Sequence, residues 1–234
     1  MKIVIVGPGA MGCLFAGFLS KTQQDIWLLD KNRERAEKLN QEGIVVEGIS
    51  GDWRAKVKAT HIPEEIGPVD LIIVCVKSYD TKEAILRAKI LVQENTSVLT
   101  LQNGIGNIEI IGEIVGQERV IGGVTNQGAT LLDTGHIRHA GRGDTVIGRV
   151  DGKITVGLRS IREIFNKAGI ETRISRDIRG LLWSKLIINV GINALTAITR
   201  LNNGRLIELE GTRKILREAV TEAIRVAKRK KIKF

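Results

Sequence analysis

The hydrophobic positions fall into two regimes along the 234-residue chain: up to Ile174, short β-branched runs alternate with helix-spaced segments, and from Ile178 onward only helix spacing remains. Lys2 to Val6 is a compact apolar run that ends in glycines, as a parallel strand buried on both faces does. Leu14, Phe15, Phe18 and Leu19 then repeat at helical spacing and predict a helix over Met11 to Lys21. Ile26 to Asp30 reads as the next strand, Arg33 to Glu42 as the next helix, and Asp70 to Val76 as a fully buried strand. Thr81 to Val92 reads as a helix and Ser97 to Leu101 as a further strand. This alternation predicts a parallel sheet with helices on both faces. The segment 122–157 is rich in glycine and threonine and alternates, which points to antiparallel strands or hairpins appended to that sheet. A helix over Leu158 to Ala168 and a short strand over Glu171 to Ile174 precede the helical remainder. The expected fold is α/β, a Rossmann-type parallel sheet with appended strands followed by a small all-α C-terminal domain. Residues 1–174 would form this α/β domain and 175–234 a separate helical domain.

Composition narrows the function classes. The chain is long enough for one sizeable core and a smaller second one. It contains no run of roughly 18 unbroken apolar residues, and Met1-Lys2 leads straight into a strand instead of a signal peptide, so a soluble, cytoplasmic protein without a membrane partner is expected. Cys13 and Cys75 both lie in apolar segments and suit neither a disulfide framework nor a metal site, so they read as small buried thiols and no metal is expected. Lys and Arg number 36 against 26 Asp and Glu, a net charge of +10. Much of the excess is local, in Lys228-Arg229-Lys230-Lys231-Ile232-Lys233 and in Arg159, Arg162, Arg173, Arg176 and Arg179. Aromatic residues make up only 3% of the chain, too few for base-stacking platforms, and neither helix-turn-helix nor zinc-finger spacing occurs. The basic surface is read as solvated, and no nucleic-acid partner is expected.

Gly7-Pro8-Gly9-Ala10-Met11-Gly12 is a GxGxxG sequence directly after a strand and at the opening of a helix. The first glycine serves the tight turn, the second lets the backbone approach a pyrophosphate, and the third packs helix against strand. The helix N-terminus then offers free N–H groups to the anion. Asp30 ends the second strand, 18 positions beyond Gly12, where a carboxylate accepts from the adenosine ribose hydroxyls and repels a 2′-phosphate. That favours NAD, although Lys31 and Arg33 follow at once and could embrace a 2′-phosphate, so NAD and NADP both stay open. The chemistry indicated is hydride transfer between a nicotinamide cofactor and a small carbonyl compound.

Lys77 and Asn103 each end a strand at the carboxyl edge of the sheet, where ligands of open α/β folds bind. Each could equally be an ordinary surface residue at a strand end or turn. Lys185, Asn189 and Asn193 recur at i, i+4 and i+8 as one polar stripe on a segment otherwise apolar enough to be buried. Burying a lysine and two amides is costly without partners, so a polar cleft is expected there; a solvent-facing stripe on a half-exposed helix is the alternative. A desolvated lysine beside a carbonyl substrate can act as general acid, giving its proton to the oxygen as hydride reaches the carbon. The asparagines would orient the substrate's carboxylate and hydroxyl.

Together these residues resemble the ketopantoate reductase (2-dehydropantoate 2-reductase) family. The resemblance runs from the glycine loop through Val76-Lys77-Ser78 and Leu101-Gln102-Asn103-Gly104-Ile105-Gly106 to Trp183-Ser184-Lys185-Leu186 and Asn189 to Ala197, and covers nearly the whole chain. It implies NAD(P)H-dependent reduction of ketopantoate to pantoate on the route to pantothenate and coenzyme A, by a homodimer. By that similarity Lys185 and Asn103 are the catalytic candidates, and Asn189, Asn193 and Asn203 match substrate-contacting asparagines. Lys77 and Asn103 match residues near the nicotinamide and the reacting carbonyl, and Ala129 matches a cofactor-contacting backbone position. The family usually prefers NADPH and tends to carry a basic residue where this chain has Asp30. Its members commonly run longer, with later helices supplying a serine and a glutamate to the site, so the chain reads as a fragment or a shortened relative. A cofactor-binding regulatory protein without chemistry, or another two-domain hydroxy-acid dehydrogenase, are the alternatives to the reductase.

Overall fold

The computed structural model describes residues 1–233. In chain order the elements are β1 (Lys2–Val6), α1 (Ala10–Leu19), β2 (Asp25–Leu29), α2 (Arg33–Glu42), β3 (Ile44–Gly48), β4 (Trp53–Ala55) and β5 (Lys58–Thr60). There follow β6 (Leu71–Val74), α3 (Thr81–Ala88), β7 (Ser97–Thr100), α4 (Asn107–Val115), β8 (Val120–Thr125), β9 (Gly128–Asp133), β10 (His136–Gly141) and β11 (Thr145–Gly148). The last are α5 (Val156–Lys167), β12 (Thr172–Ile174), α6 (Ile178–Thr199), α7 (Arg205–Glu208) and α8 (Glu210–Arg229). The Rossmann-type sheet with appended strands and the helical C-terminal part expected from the sequence are both present.

The main sheet has eight strands in the order β12-β11-β8-β7-β6-β1-β2-β5. From β5 to β8 all neighbours run parallel, and β11 returns antiparallel to β8. β1 sits inside the sheet between β2 and β6, and its Ile3, Val4 and Ile5 are wholly buried, which is why the run is apolar on both faces rather than alternating. The strand ends of β1, β2 and β6 therefore open on one carboxyl edge, where the first crossover places the glycine loop.

One expectation needs correction. Of the segment 122–157, β8 and β11 do extend the main sheet, but the β9–β10 hairpin leaves it. β10 pairs in parallel with β3, and a second sheet forms in the order β4-β3-β10-β9. The cause lies in α1, whose sequence AMGCLFAGFL is apolar around its whole circumference and whose residues from Gly12 to Leu19 are all buried. A helix of that kind must be covered on every side. The main sheet covers one side, and the second sheet covers the other: Trp53 Nε1 donates to the Gly17 carbonyl at 3.2 Å, and Phe18 meets Trp53 and His139 at ring-centroid distances of 5.4 and 5.5 Å. Phe15 packs on Phe165 of α5 at 6.0 Å, tying the opposite end of the chain's α/β part to the same core.

The chain divides into two compact units, Met1–Gln102 with Gly106–Ile178, and a second that joins Asn103–Ile105 to the residues from Arg179 onward. In the second unit α6 and α8 pack through Trp183, Ile187 and Ala227, with Leu186, Val220, Ala223 and Ile224 around them. Gly191 is the point of close approach, since a Cβ there would come within 2.9 Å of Val220 Cγ2. α6 is long and apolar enough to cross a bilayer by length and composition, yet Arg179, Lys185 and five amide or hydroxyl side chains interrupt it. The helix is also less buried than its sequence suggests, with Ile188, Val190 and Ile198 exposed.

His139 is a buried polar group in the second sheet. Ser50 Oγ lies 2.6 Å from Nδ1, and Nε2 lies 2.9 Å from both Gln127 Oε1 and the Gly141 carbonyl, so the ring is neutral with its proton on Nε2. Burial pulls its pKa below the ordinary value of 6.5, with Arg142 acting in the same direction and the Gly141 carbonyl opposing. The unfolded chain then binds the extra proton first. Stability is complete above pH 6.5 and is lost as pH falls from there through the lowered folded value. Urea midpoints taken on either side of that window should drop on acidification for the wild type, and the drop should shrink in His139→Gln.

Candidate functional site

The cleft at the carboxyl edge of the main sheet holds about 220 Å³ and lies wholly within the first unit. Its floor is the glycine loop, Val6 to Gly9; one wall is the end of β2 with Leu29, Asp30, Lys31 and Arg35; the other runs from Cys75 through Lys77 to Arg87 on α3. The loop is built by main-chain approach. Gly7 has φ +91°, and a Cβ there would fall 2.5 Å from Val76 Cγ1. A Cβ on Gly12 would run into the Gly7 carbonyl oxygen. Around Gly9, in contrast, nothing lies within 4 Å of where a Cβ would stand.

α1 opens at Gly9 with no capping side chain and no acidic residue in its first turn. Its first N–H groups have no intrahelical acceptor and carry the positive end of the helix dipole, so an anion is the natural occupant. A pyrophosphate fits the open space over Gly9, and the group implied is a dinucleotide. The thiols stay out of the chemistry: burial pushes both Cys13 and Cys75 up to about 12, and Cys13 donates to the Pro8 carbonyl at 3.2 Å.

Of the residues singled out in the sequence, Gly7, Pro8, Gly9, Asp30 and Lys77 line this cleft, while Ala10, Met11 and Gly12 form the first turn of α1 beneath it. Ala129 stands on β9, half-buried against the core; Leu131, two residues along the same strand, and Thr134 are the ones that reach the cleft. Asn103 belongs to the second unit. On α6, Lys185 and Asn189 are half-buried and Asn193 is exposed, and Asn203 is exposed in the connection between α6 and α7. The stripe thus lies on a half-exposed helix, the second of the two environments its spacing allows. Burial nevertheless draws the Lys185 ammonium below its ordinary pKa. Among the described residues no three His, Cys, Asp or Glu side chains gather as a metal site.

Two features of the site escape the periodicity of the sequence. The first is Gln102, buried behind the carboxyl edge. Its Nε2 donates to the Val76 carbonyl and to Thr81 Oγ1, both at 2.8 Å, and its Oε1 accepts from Thr100 Oγ1 at 2.9 Å. Thr81 passes its own proton to Asn107 Oδ1 at 3.2 Å. The network fixes the turn that carries Lys77. A lone Gln after a strand gives no sign of it, because its partners come from three other segments. The second is Arg35, whose Nη2 donates to Asp30 Oδ1 at 2.6 Å; an arginine five residues past the strand end, in the first turn of a helix, was the available signal.

Residues 3–152 match the family described as ketopantoate reductase PanE/ApbA, and residues 177–234 match the C-terminal domain of the same family. The chain belongs to the ketopantoate reductase family. It is 39% identical to the 2-dehydropantoate 2-reductase of Pyrococcus horikoshii over 234 residues, all of this chain and 76% of that protein. The crystal structure of a PanE/ApbA family ketopantoate reductase from Ralstonia eutropha JMP134 superposes with a TM-score of 0.90 at 34% identity, over 100% of this chain and 76% of that one. A D-mandelate dehydrogenase crystallised with NADH and anilino(oxo)acetate superposes with a TM-score of 0.93 at 26% identity and the same coverage. Ketopantoate reductases are oxidoreductases that draw on NAD(P)H, which agrees with the dinucleotide fit of the glycine loop.

The glycines separate packing from binding. Gly9→Ala should leave the melting temperature unchanged, because its Cβ meets only open space, yet weaken NAD(P)H binding at least about tenfold by filling the pyrophosphate's place. Gly12→Ala should lower both together; fluorescence titration and thermal melts on the two variants check this. Gln102→Leu should cost about 2 kcal/mol in urea denaturation, since it removes the donor to the Val76 carbonyl and to Thr81 Oγ1 and the acceptor of the Thr100 hydroxyl proton.

Proposed function

We propose that this protein reduces 2-dehydropantoate (ketopantoate) to pantoate with NADH or NADPH, a step toward pantothenate and coenzyme A. The observation that carries this reading is the half-buried ammonium of Lys185 on α6, inside the segment that matches the family's C-terminal domain. Bound NAD(P)H supplies the hydride that reaches the carbonyl carbon. Lys185 gives the accompanying proton from Nζ to the carbonyl oxygen, and the lowered pKa makes that proton easier to release. Asn103 assists at the reacting carbonyl. Asn189, Asn193 and Asn203 hold the substrate's carboxylate and hydroxyl, and Lys77 and the Ala129 backbone contact the cofactor.

In this reading residues 1–174 carry the dinucleotide and residues 175–234 carry substrate binding and dimerisation. The exposed Ile188, Val190 and Ile198 of α6 suit a homodimer surface, and the biosynthetic role suits the cytoplasm.

Ketopantoate-dependent oxidation of NADH or NADPH, followed by absorbance, tests the reaction; folded protein that turns over neither would overturn it. Lys185→Ala should lower kcat by about 10²-fold. The wild-type rate should fall as pH rises through the lowered pKa of Lys185, where the proton donor is lost, and the variant should lack that limb.

A further inference from the structure

We propose that the groove between α5 and the edge strand β12 is a second ligand site, which takes a compact polyanion of the linked-phosphate class on Arg159, Arg162, Lys167 and Arg173. The groove shares no lining residue with the glycine-loop cleft, and the proposal does not depend on which carbonyl compound is reduced.

Five arginines lie between positions 159 and 179, with nothing local to say whether they meet. In the fold three of them do. α5 is amphipathic: Leu158, Ile161 and Phe165 are buried, while Arg159, Arg162, Glu163, Asn166 and Lys167 recur at i, i+3, i+4, i+7 and i+8 along another side. β12 is the last strand of the main sheet, and its Arg173 lines the same open groove of about 730 Å³. Four cations therefore face one carboxylate, Glu163.

The walls of the groove are held in place. Asn166 Nδ2 donates to the Thr172 carbonyl at 3.1 Å, and Asn166 Oδ1 accepts from Thr172 N at 2.8 Å, so an amide of α5 stands where a further strand would pair with β12. The edge is thereby closed to another strand at Thr172, and side chains are what the groove offers a ligand. Phe165, beneath the stripe, is anchored on Phe15.

The charges of the stripe answer neither one another nor the helix. Arg162 reaches Glu163 at 3.4 Å, and Arg173 pairs with Asp144, which does not line the groove. Arg159 and Lys167 pair with no carboxylate among the described residues. Lys167 in the last turn suits the negative end of α5, but Arg159 closes the first turn, where the dipole disfavours a cation and no acidic residue offsets it. Arg159 and Arg162 also repel each other at i, i+3. Helix stability gives no reason for this arrangement, whereas an anion removes the repulsion and takes the forked donors of three guanidinium groups. From Arg159 to Lys167 the stripe runs about 12 Å along the helix axis, which suits several linked phosphates better than one. No aromatic side chain lines the groove for a base to stack on, which sets single-stranded nucleic acid aside. Five strand spacings, about 24 Å, separate β12 from β1, so this site and the glycine loop can be filled at once.

Calorimetric titration of the full chain with inorganic tripolyphosphate, with and without excess NADH, provides the test. The wild type should bind one equivalent at least about tenfold more tightly than orthophosphate, and NADH should leave that affinity unchanged. Arg159→Gln combined with Arg162→Gln should weaken binding at least about tenfold without lowering the melting temperature, since neither side chain belongs to the core. Lys230→Gln combined with Lys233→Gln removes the same charge from the terminal basic run and should change the affinity by less than about twofold at physiological salt. Absence of binding overturns the proposal. So does an equal loss in the two double variants, which assigns binding to net charge, and so does displacement by NADH, which assigns it to the glycine loop. Duplex DNA or a polyglutamate peptide that displaces tripolyphosphate from the groove at lower concentration overturns the assignment to linked phosphates.

Discussion

The structure depends on one main-chain contact, the approach of α1 to β1 at Gly12 and the Gly7 carbonyl. Only a residue without a Cβ permits that distance, and with it the helix lies flat against the sheet rather than standing off it. Three consequences follow. The uncapped N-terminus of α1 comes to the carboxyl edge, next to the ends of β2 and β6. The helix's second side is left facing away from the main sheet, fully apolar, and recruits the second sheet through Phe18, Trp53 and His139. That sheet in turn brings Leu131 and Thr134 to the mouth of the cleft. The site and the elements around it share a single geometric cause.

The carboxyl edge would be a poor platform if its turns were mobile, because the backbone groups leaving a parallel strand have no ladder partners. Gln102, Thr81, Thr100 and Asn107 supply them from side chains, all buried and all engaged. In a low-dielectric interior such bonds are strong when complete and costly when broken. The Leu-Gln-Asn-Gly string thus has a structural share and a chemical share: Gln102 looks inward and stabilises the turn before Lys77, while the residue after it is the candidate for the reaction.

The parts of the fold legible in the sequence are those whose cause is local. β1, β2, β6 and β7 announce themselves as apolar runs, whereas the three-residue strand β5, Lys-Ala-Thr, does not, and α2 is capped from directly before by Asn32 and buries Ala36 and Leu39 on one face. The glycine loop is legible for the same reason, since its turn, its approach and its helix start occupy six consecutive residues. The second sheet is not legible, because β3 pairs with β10 across some ninety residues (His136 faces Val45) and a three-residue strand such as β4 leaves no period to detect. The environment of α6 was half legible: Lys185, Asn189 and Asn193 do share a stripe, but a helix apolar by composition need not be buried, and here Ile188 and Ile198 stand exposed beside it.

Asp30 shows why a single fingerprint residue underdetermines a site. A carboxylate at the end of the second strand reads as a ribose acceptor, and basic residues just after it read as phosphate receptors, so sequence alone leaves opposite charges in competition. In the structure these charges meet carboxylates: Arg33 pairs with Glu37, Lys31 leans to Asp80, and Arg35, absent from the motif, holds Asp30 by one oxygen. The sign of charge offered to a ligand is then a property of these pairs and of which atom each leaves free. An oxygen left free at Oδ2, on a carboxylate held at Oδ1 and almost wholly out of water, is an acceptor whose strength is set by its neighbours, and the neighbour that matters most lies five residues beyond it on the next helix.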